Sequence, residues 1–285
     1  MSQLLLHQRT QAEVTSFVNR PSHALVLSGP PGSGKLSIAH NIGEELLGLR
    51  PGALSSYAYA RVLSPADGKT IGIEAVRELE HFLSLKVPTH QAIKRVVIVA
   101  DAHTMTTEAQ NALLKTIEEP PVGTILLLTA ASEQALLPTI RSRVQHIGVK
   151  RPGAADLQAF FQKQNFPSDA IKRALSISGG LPGLTSALLH DAEHPLLPAT
   201  QKARELLGLS TFERLTHIDE LAQDRALCQD TLFILQQMAL ISLRTASGQV
   251  AQRWQAVLAA TYNTHKALQG GAQPKLALCN FFLSI

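Results

Sequence analysis

The sequence predicts an α/β fold, a parallel sheet with helices on both faces followed by an all-helical part. Three observations carry that prediction. The loop Gly29-Pro30-Pro31-Gly32-Ser33-Gly34-Lys35 lies between an apolar run, Ala24 to Leu27, and a helical pattern at Leu36, Ile38, Ala39, Ile42 and Leu46. Val96-Val97-Ile98-Val99-Ala100 is an unbroken apolar run, typical of a strand covered on both faces of a parallel sheet. Near Arg151-Pro152-Gly153 the strand signals stop and only helical spacing remains.

Taken in order, an amphipathic helix is expected from Leu4 to Arg20, and Pro21-Ser22-His23 then leads into the first strand at Ala24 to Leu27. The helix after the loop should end near Gly48, with loop through Ser56 and a short strand at Arg61-Val62-Leu63. Gly68-Lys69 turns the chain into a helix carrying Ile73, Val76, Leu79, Phe82 and Leu83. Arg95 opens the apolar strand, a helix from Thr106 to Glu118 stops at Pro120-Pro121, and a strand follows from Thr124 to Thr129. A short segment from Leu136 to Arg143 precedes a last strand, Val144 to Val149. Alternation of this kind winds helices onto both sides of the sheet.

Beyond that point, helices are expected at Ala154 to Gln164, Ser168 to Ser178 and Leu184 to Leu189, with Gly179 to Gly183 as a break. Asp191 to Pro198 reads as a linker, and everything from Gln201 is helical by pattern, the last helix starting at Pro274.

Composition narrows the class. A chain of 285 residues, 45% hydrophobic, can bury more than one core and should be soluble and globular. Its net charge of +4 is a mild excess of 26 basic over 22 acidic residues, which permits contact with phosphate backbones without arguing for it. Cys228 and Cys279 stand far apart, so neither a disulfide framework nor a Cys-rich zinc site is supported, and a reducing cytoplasm fits. The start lacks a basic segment followed by an adequate apolar core, and no run reaches the roughly 18 apolar residues of a membrane span.

The loop at residues 29 to 35 has the chemistry of a phosphate cradle. Glycines let consecutive N–H groups turn toward phosphate oxygens, the helix start adds partial positive charge, and a lysine reaches the terminal phosphates. The residue after the lysine should be Ser or Thr, whose hydroxyl ligates Mg²⁺, and here it is Leu36. Ser37 comes one residue late and points about 100° away on a helix.

Arg95 to His103, then Asn111-Ala-Leu-Leu-Lys-Thr-Ile-Glu-Glu-Pro-Pro121, then Pro138-Thr-Ile-Arg-Ser-Arg-Val144 closely resemble the bacterial clamp loader proteins of the AAA+ class. Ala272 to Leu283 looks like the last collar helix of that family, so the resemblance covers nearly the whole chain. It implies an AAA+ RecA-like domain over residues 1–150, a small helical lid over 151–193 and an all-helical collar for oligomerisation over 194–285.

Against the family pattern, the second nucleotide motif is depleted. Its Asp position falls on Ala100 and its Glu position on Asp101, and the lid arginine position carries Pro182. Thr129-Ala130-Ala131-Ser132 offers mostly small apolar residues where a Thr or Asn is usual. The four-Cys zinc module of many relatives is absent, since no Cys occurs between Leu47 and Ile71, and no metal is expected. Phosphoryl transfer depends on positioned cations and a positioned water. The resemblance therefore implies a vestigial nucleotide site at Gly29, Gly32, Ser33, Gly34, Lys35, Leu36 and Asp101, able to hold ATP, ADP or phosphate without hydrolysis and requiring no cofactor.

Ser142-Arg143 occupies the place of the family's Ser-Arg-Cys string, whose arginine reaches into the nucleotide site of the adjacent subunit. Arg143 is thus expected to act in trans, with Val144 replacing the cysteine. The implied role is a non-catalytic assembly subunit of a DNA polymerase holoenzyme. Its partners would be tau/gamma-like ATPase subunits, a delta-like subunit, the sliding clamp and primed DNA. The alternative is a tau/gamma-like ATPase motor with an unusual site, and an AAA+ protein outside replication is disfavoured by the collar-like end.

Overall fold

The computed structural model describes residues 4–65, 70–87 and 92–285. The turn expected at Gly68-Lys69 lies outside them. The chain forms two compact units, Met1–Pro152 and Gly153–Ile285, so the first boundary falls two residues beyond the expected one.

The first unit is built on five strands, β1 (Ala24–Ser28), β2 (Ala60–Leu63), β3 (Arg95–Val99), β4 (Thr124–Ala130) and β5 (Gln145–Gly148). They are ordered β2-β3-β4-β1-β5 and every pairing is parallel. Strands β1, β3 and β4 are buried along their whole length, which is why their sequences read as continuous apolar runs instead of alternating ones. Successive side chains still point to opposite faces. Leu25, Leu27, Val96, Ile98 and Leu127 pack under α1 (Gln8–Asn19) and α2 (Lys35–Leu47). Val26, Val97, Val99, Leu126 and Leu128 pack against α3 (Ile73–Ser84), α4 (Thr107–Glu118) and α5 (Pro138–Arg141).

Helix α1 begins four residues later than its apolar start suggests. His7 caps it, its Nδ1 accepting from Arg9 N–H at 3.1 Å, while Leu4 and Leu6 reach the core from extended chain. Arg95 does more than open a strand. Its buried guanidinium donates to the carbonyls of Phe82, Leu83 and Leu85 at the end of α3, supplying the donors and positive charge that a helix C-terminus lacks.

The second unit is helical: α6 (Ala154–Lys163), α7 (Ser168–Ser178), α8 (Pro182–His190), α9 (Leu197–Gly208), α10 (Thr211–Thr216), α11 (Ile218–Gln223), α12 (Arg225–Ser242), α13 (Gly248–Gln269) and α14 (Pro274–Leu283). The expected break at Gly179 to Gly183 is shorter than anticipated, because Pro182 opens α8 at a position where its missing N–H costs nothing. The expected linker likewise gives way early, with Leu197 and Pro198 already in the first turn of α9. Helix α14 starts at Pro274 as expected.

The division expected between residues 193 and 194 does not coincide with a gap in packing. Leu181 and Leu184 share one core with Leu196, Leu235, Leu278 and Phe282. No helix among the described residues is long and apolar enough to cross a membrane.

Gly179 shows how closely that core is assembled. Its φ is +61°, and a Cβ there would lie 2.3 Å from the Gln237 Cβ and 2.8 Å from the Gln237 carbonyl carbon. Gly179→Ala combines left-handed backbone strain with overpacking and should destabilise the protein by about 2–5 kcal/mol, read by urea unfolding followed by circular dichroism. A loss of less than about 1 kcal/mol would show that α7 and α12 can separate without penalty.

Candidate functional site

Ligands of open parallel sheets bind at the carboxyl ends of the strands, and two loops that carry expected site residues meet there. The first follows β1. Its Gly29 N–H donates to Ala130 O at 3.1 Å, extending the β1–β4 ladder by one bond. Gly32 and Gly34 have φ of 71° and 85°, values that glycine adopts without strain, and Gly34 caps α2. The first N–H groups of α2, on Lys35, Leu36 and Ser37, have no carbonyl within the helix to receive them, which makes this end an anion cradle.

Lys35 is buried, and its Nζ donates to Gly29 O at 2.8 Å and Pro30 O at 2.9 Å. Burial holds its pKa below the ordinary 10.5, an effect that the charge of Asp101 partly offsets. Ser33 Oγ is buried without a hydrogen-bond partner among the described residues. Leu36 is 43% exposed and Ser37 is exposed as well.

The second loop follows β3. Ala100 is buried, and Asp101 adopts a left-handed conformation with φ 48°, starting a single 3₁₀ turn at residues 102–104. The Asp101 N–H donates to Thr129 Oγ1 at 2.8 Å. So the Thr129 to Ser132 string, read from sequence as mostly small and apolar, contributes a hydroxyl that fixes the Asp101 backbone. His103 completes the cluster and was not anticipated: its Nδ1 accepts from Ala131 N–H at 3.4 Å. Burial is the main cause of its lowered pKa, with Asp101 opposing and Lys35 adding to the shift.

Arg143 lies elsewhere, between α5 and β5, at the amino ends of the parallel strands. Its Nε donates to Glu118 Oε1 at 2.6 Å, and its Nη1 donates to Thr139 O at 3.1 Å and Ser142 Oγ at 3.0 Å. The neighbouring Arg141 turns inward, its Nε buried without a hydrogen-bond partner among the described residues. A second unanticipated chain links Ser28 Oγ to His146 Nε2 at 2.7 Å and His146 Nδ1 to Glu133 Oε2 at 3.6 Å. Ser28 is only 8% exposed, so its hydroxyl ties β1 to β5 and presents no nucleophile to a substrate. Pro182 lies in the second unit, at the start of α8.

The structure thus brings Gly29, Gly32, Ser33, Gly34, Lys35, Leu36 and Asp101 to the carboxyl-end region of the sheet, whereas Arg143 lies at its amino-end edge, just before β5. These donors suit a phosphate and do not suit a nucleotide-bound Mg²⁺. Leu36 presents hydrocarbon where a hydroxyl would ligate the ion, Ala100 presents a methyl where a carboxylate would, and Asp101 is the acidic side chain at the end of β3.

Residues 8–152 match the family model described as DNA polymerase III, delta subunit. The chain is 35% identical over 187 residues to DNA polymerase III subunit delta' of Pseudomonas aeruginosa, covering 59% of this chain and 56% of that protein. The subunit of the same name from Escherichia coli is 33% identical over 185 residues, covering 59% and 55%. The matched stretch therefore spans little more than half the length of these curated relatives. Among solved structures, a DNA polymerase III gamma subunit-related protein from Thermotoga maritima superposes with a TM-score of 0.51 at 20% identity, covering 97% of this chain and 98% of that one. At that identity the likeness concerns the fold alone, a parallel sheet flanked by helices and followed by an all-helical part.

The half-buried ring of His103 makes stability depend on pH. Its folded pKa lies below the ordinary 6.5, so between those two values the unfolded chain binds a proton that the folded chain does not, and stability rises with pH. As pH falls through about 6.5 the contribution is progressively lost, and the loss is complete below the folded pKa. His103→Asn keeps an acceptor for Ala131 N–H and removes the titration. Between about pH 7.5 and about pH 5.5 the unfolding free energy should drop less in the variant than in the parent. Equal drops in the two proteins would remove His103 from the account.

Proposed function

The chain belongs to the DNA polymerase III delta subunit family, and on that premise we propose that it is a non-catalytic, delta-prime-like stator of the polymerase's clamp loader. It closes a ring with tau/gamma-like ATPase subunits and a delta-like subunit, and it helps that ring place the sliding clamp on primed DNA. One observation carries the reading. Within a single chain, the phosphate loop lacks the Leu36 and Ala100 oxygens that Mg²⁺ requires, while Arg143 stands half-exposed and held by named hydrogen bonds. A guanidinium is always charged and presents forked donors suited to phosphate oxygens. Arg143 then completes the ATP site of the neighbouring subunit, and this chain's own loop holds nucleotide or phosphate without turnover. Lys35 and the intact glycines of the loop favour a rival reading, a tau/gamma-like motor, and activity of the isolated chain separates the two.

In this reading residues 151–193 form the lid, residues 194–285 form the collar that holds the ring together, and the setting is the cytoplasm. Support for the collar comes from α14, where Leu276 and Leu283 are both exposed. Seven residues apart, they lie on one helix face.

Steady-state ATPase on the isolated protein should stay at background. In the reconstituted complex, Lys35→Ala should load clamps at nearly the parent rate, while Arg143→Ala should lower DNA-stimulated ATPase and loading with assembly intact. Arginines supplied in trans are worth about 10³ to 10⁵ in rate in well-studied GTPase pairs. A smaller loss is expected here, because other active sites of the ring remain. Lys35-dependent turnover by the isolated chain would support the motor reading, and normal loading by the Arg143→Ala ring would reduce that residue to a surface charge.

A collar truncation would cut through the shared core of the second unit, so the assembly test uses a surface change. Leu276→Glu should weaken co-elution with the ATPase subunits at least about tenfold in apparent affinity while leaving the melting temperature of the free chain close to the parent value. Assembly at full affinity would place the ring contact elsewhere.

A further inference from the structure

We propose that Glu118 is the positioning residue for Arg143, fixing the direction in which the guanidinium is presented to an anion outside the chain. The inference deepens the reading of Arg143 as a group that serves a neighbouring nucleotide, and it rests on that reading. A guanidinium has five N–H donors in one plane. The Nε–H is taken by Glu118 Oε1 at 2.6 Å, and Nη1 is taken by Thr139 O at 3.1 Å and Ser142 Oγ at 3.0 Å. Ser142 Oγ in turn donates to Thr139 O at 3.1 Å, so its hydroxyl is itself oriented. Among the described residues Nη2 has no hydrogen-bond partner. The group is therefore held through Nε and Nη1, and the pair of donors on Nη2 is left over.

The platform under this grip is stiff. Glu118 is the last residue of α4, a helix anchored in the core through Leu113 and Ile117, and Thr139 belongs to α5, whose Ile140 is fully buried in the same core. The ion pair itself is 42% and 48% exposed on its two side chains, so it adds little to folding stability. Its consequence is orientation. Without Glu118 the long side chain would regain rotamers, and a misplacement of about 1 Å at a reacting phosphate can cost on the order of 10²-fold in rate. The opposite role, with the carboxylate competing against the phosphate for Arg143, is an outcome the same experiment reads.

The measurement is DNA-stimulated steady-state ATPase of the reconstituted complex, with ring assembly checked by gel filtration for every variant. Glu118→Ala should lower kcat by at least half of the fold-loss seen with Arg143→Ala and by no more than that loss, with KM for ATP unchanged within about twofold. Glu118→Gln, whose Oε1 still accepts from Nε–H, should recover most of that loss. In an Arg143→Ala background Glu118→Ala should have no further effect, as expected when one residue acts only through the other. A parent rate or a raised rate in Glu118→Ala overturns the proposal, and so does an undiminished loss in the Arg143→Ala background. If Arg143→Ala alone runs at the parent rate, the reading of Arg143 itself has failed and the positioning role goes with it. If Arg143→Ala is slow and Glu118→Ala is not, only the positioning role has failed.

Discussion

One hydrogen bond beyond the paired strands, from Gly29 N–H to Ala130 O, determines where the phosphate loop leaves the sheet. The position is crowded, since a Cβ on Gly29 would stand 3.1 Å from both Ser33 Oγ and Val149 O. With the loop's first carbonyls fixed in this way, the Lys35 ammonium can reach back to two of them and bury its charge against oxygen instead of hydrocarbon. The same ladder logic sets the second loop. The β3–β4 register pairs Val99 with Leu128, which leaves Thr129 one step further on and within reach of the Asp101 amide. A slip of one residue would turn each of these side chains to the other face.

The local grammar of the chain was readable from its residues. Gly34, Gly48 and Gly179 sit at helix ends in the left-handed region, Pro274 opens the last helix, and the runs at Val96 and Thr124 are fully covered strands. Errors arose where an apolar residue had two possible homes, as with Leu4 and Leu6, which serve the core from extended chain. What could not be read were contacts between residues distant in sequence. Asp101 meets Thr129, Arg143 meets Glu118 and Ser28 meets His146 only because the strand order and register bring their loops together. Glu118 lay inside the motif that carried the family resemblance, yet nothing in that string says which of its two adjacent carboxylates turns toward Arg143.

The strand ends show a consistent chemical asymmetry. Groups that hold anions are present: loop amides and the Lys35 ammonium at the carboxyl ends, and the Arg143 guanidinium at the amino ends. Groups that hold cations are sparse, because Leu36 and Ala100 carry no oxygen on their side chains. Asp101, the acidic residue nearest the loop's lysine, moderates the charge of Lys35 and His103. Binding a phosphate and transferring one are separable tasks, the second needing a positioned metal and water.

The core of the second unit joins Leu181 and Leu184 from its early helices to Phe281 and Phe282 from its last. On the ribosome this creates an unequal schedule. Once β5 has emerged, the first unit has every strand of its sheet and can close. Helix α7 packs early on α6 and α8, but α12, which also covers it, and α14, whose Phe281 and Phe282 complete the core shared with Leu181 and Leu184, are made far later. This half of the protein therefore passes through synthesis with its hydrophobic surface open and acquires cooperative stability only at the end, the interval in which chaperones and proteases have their access.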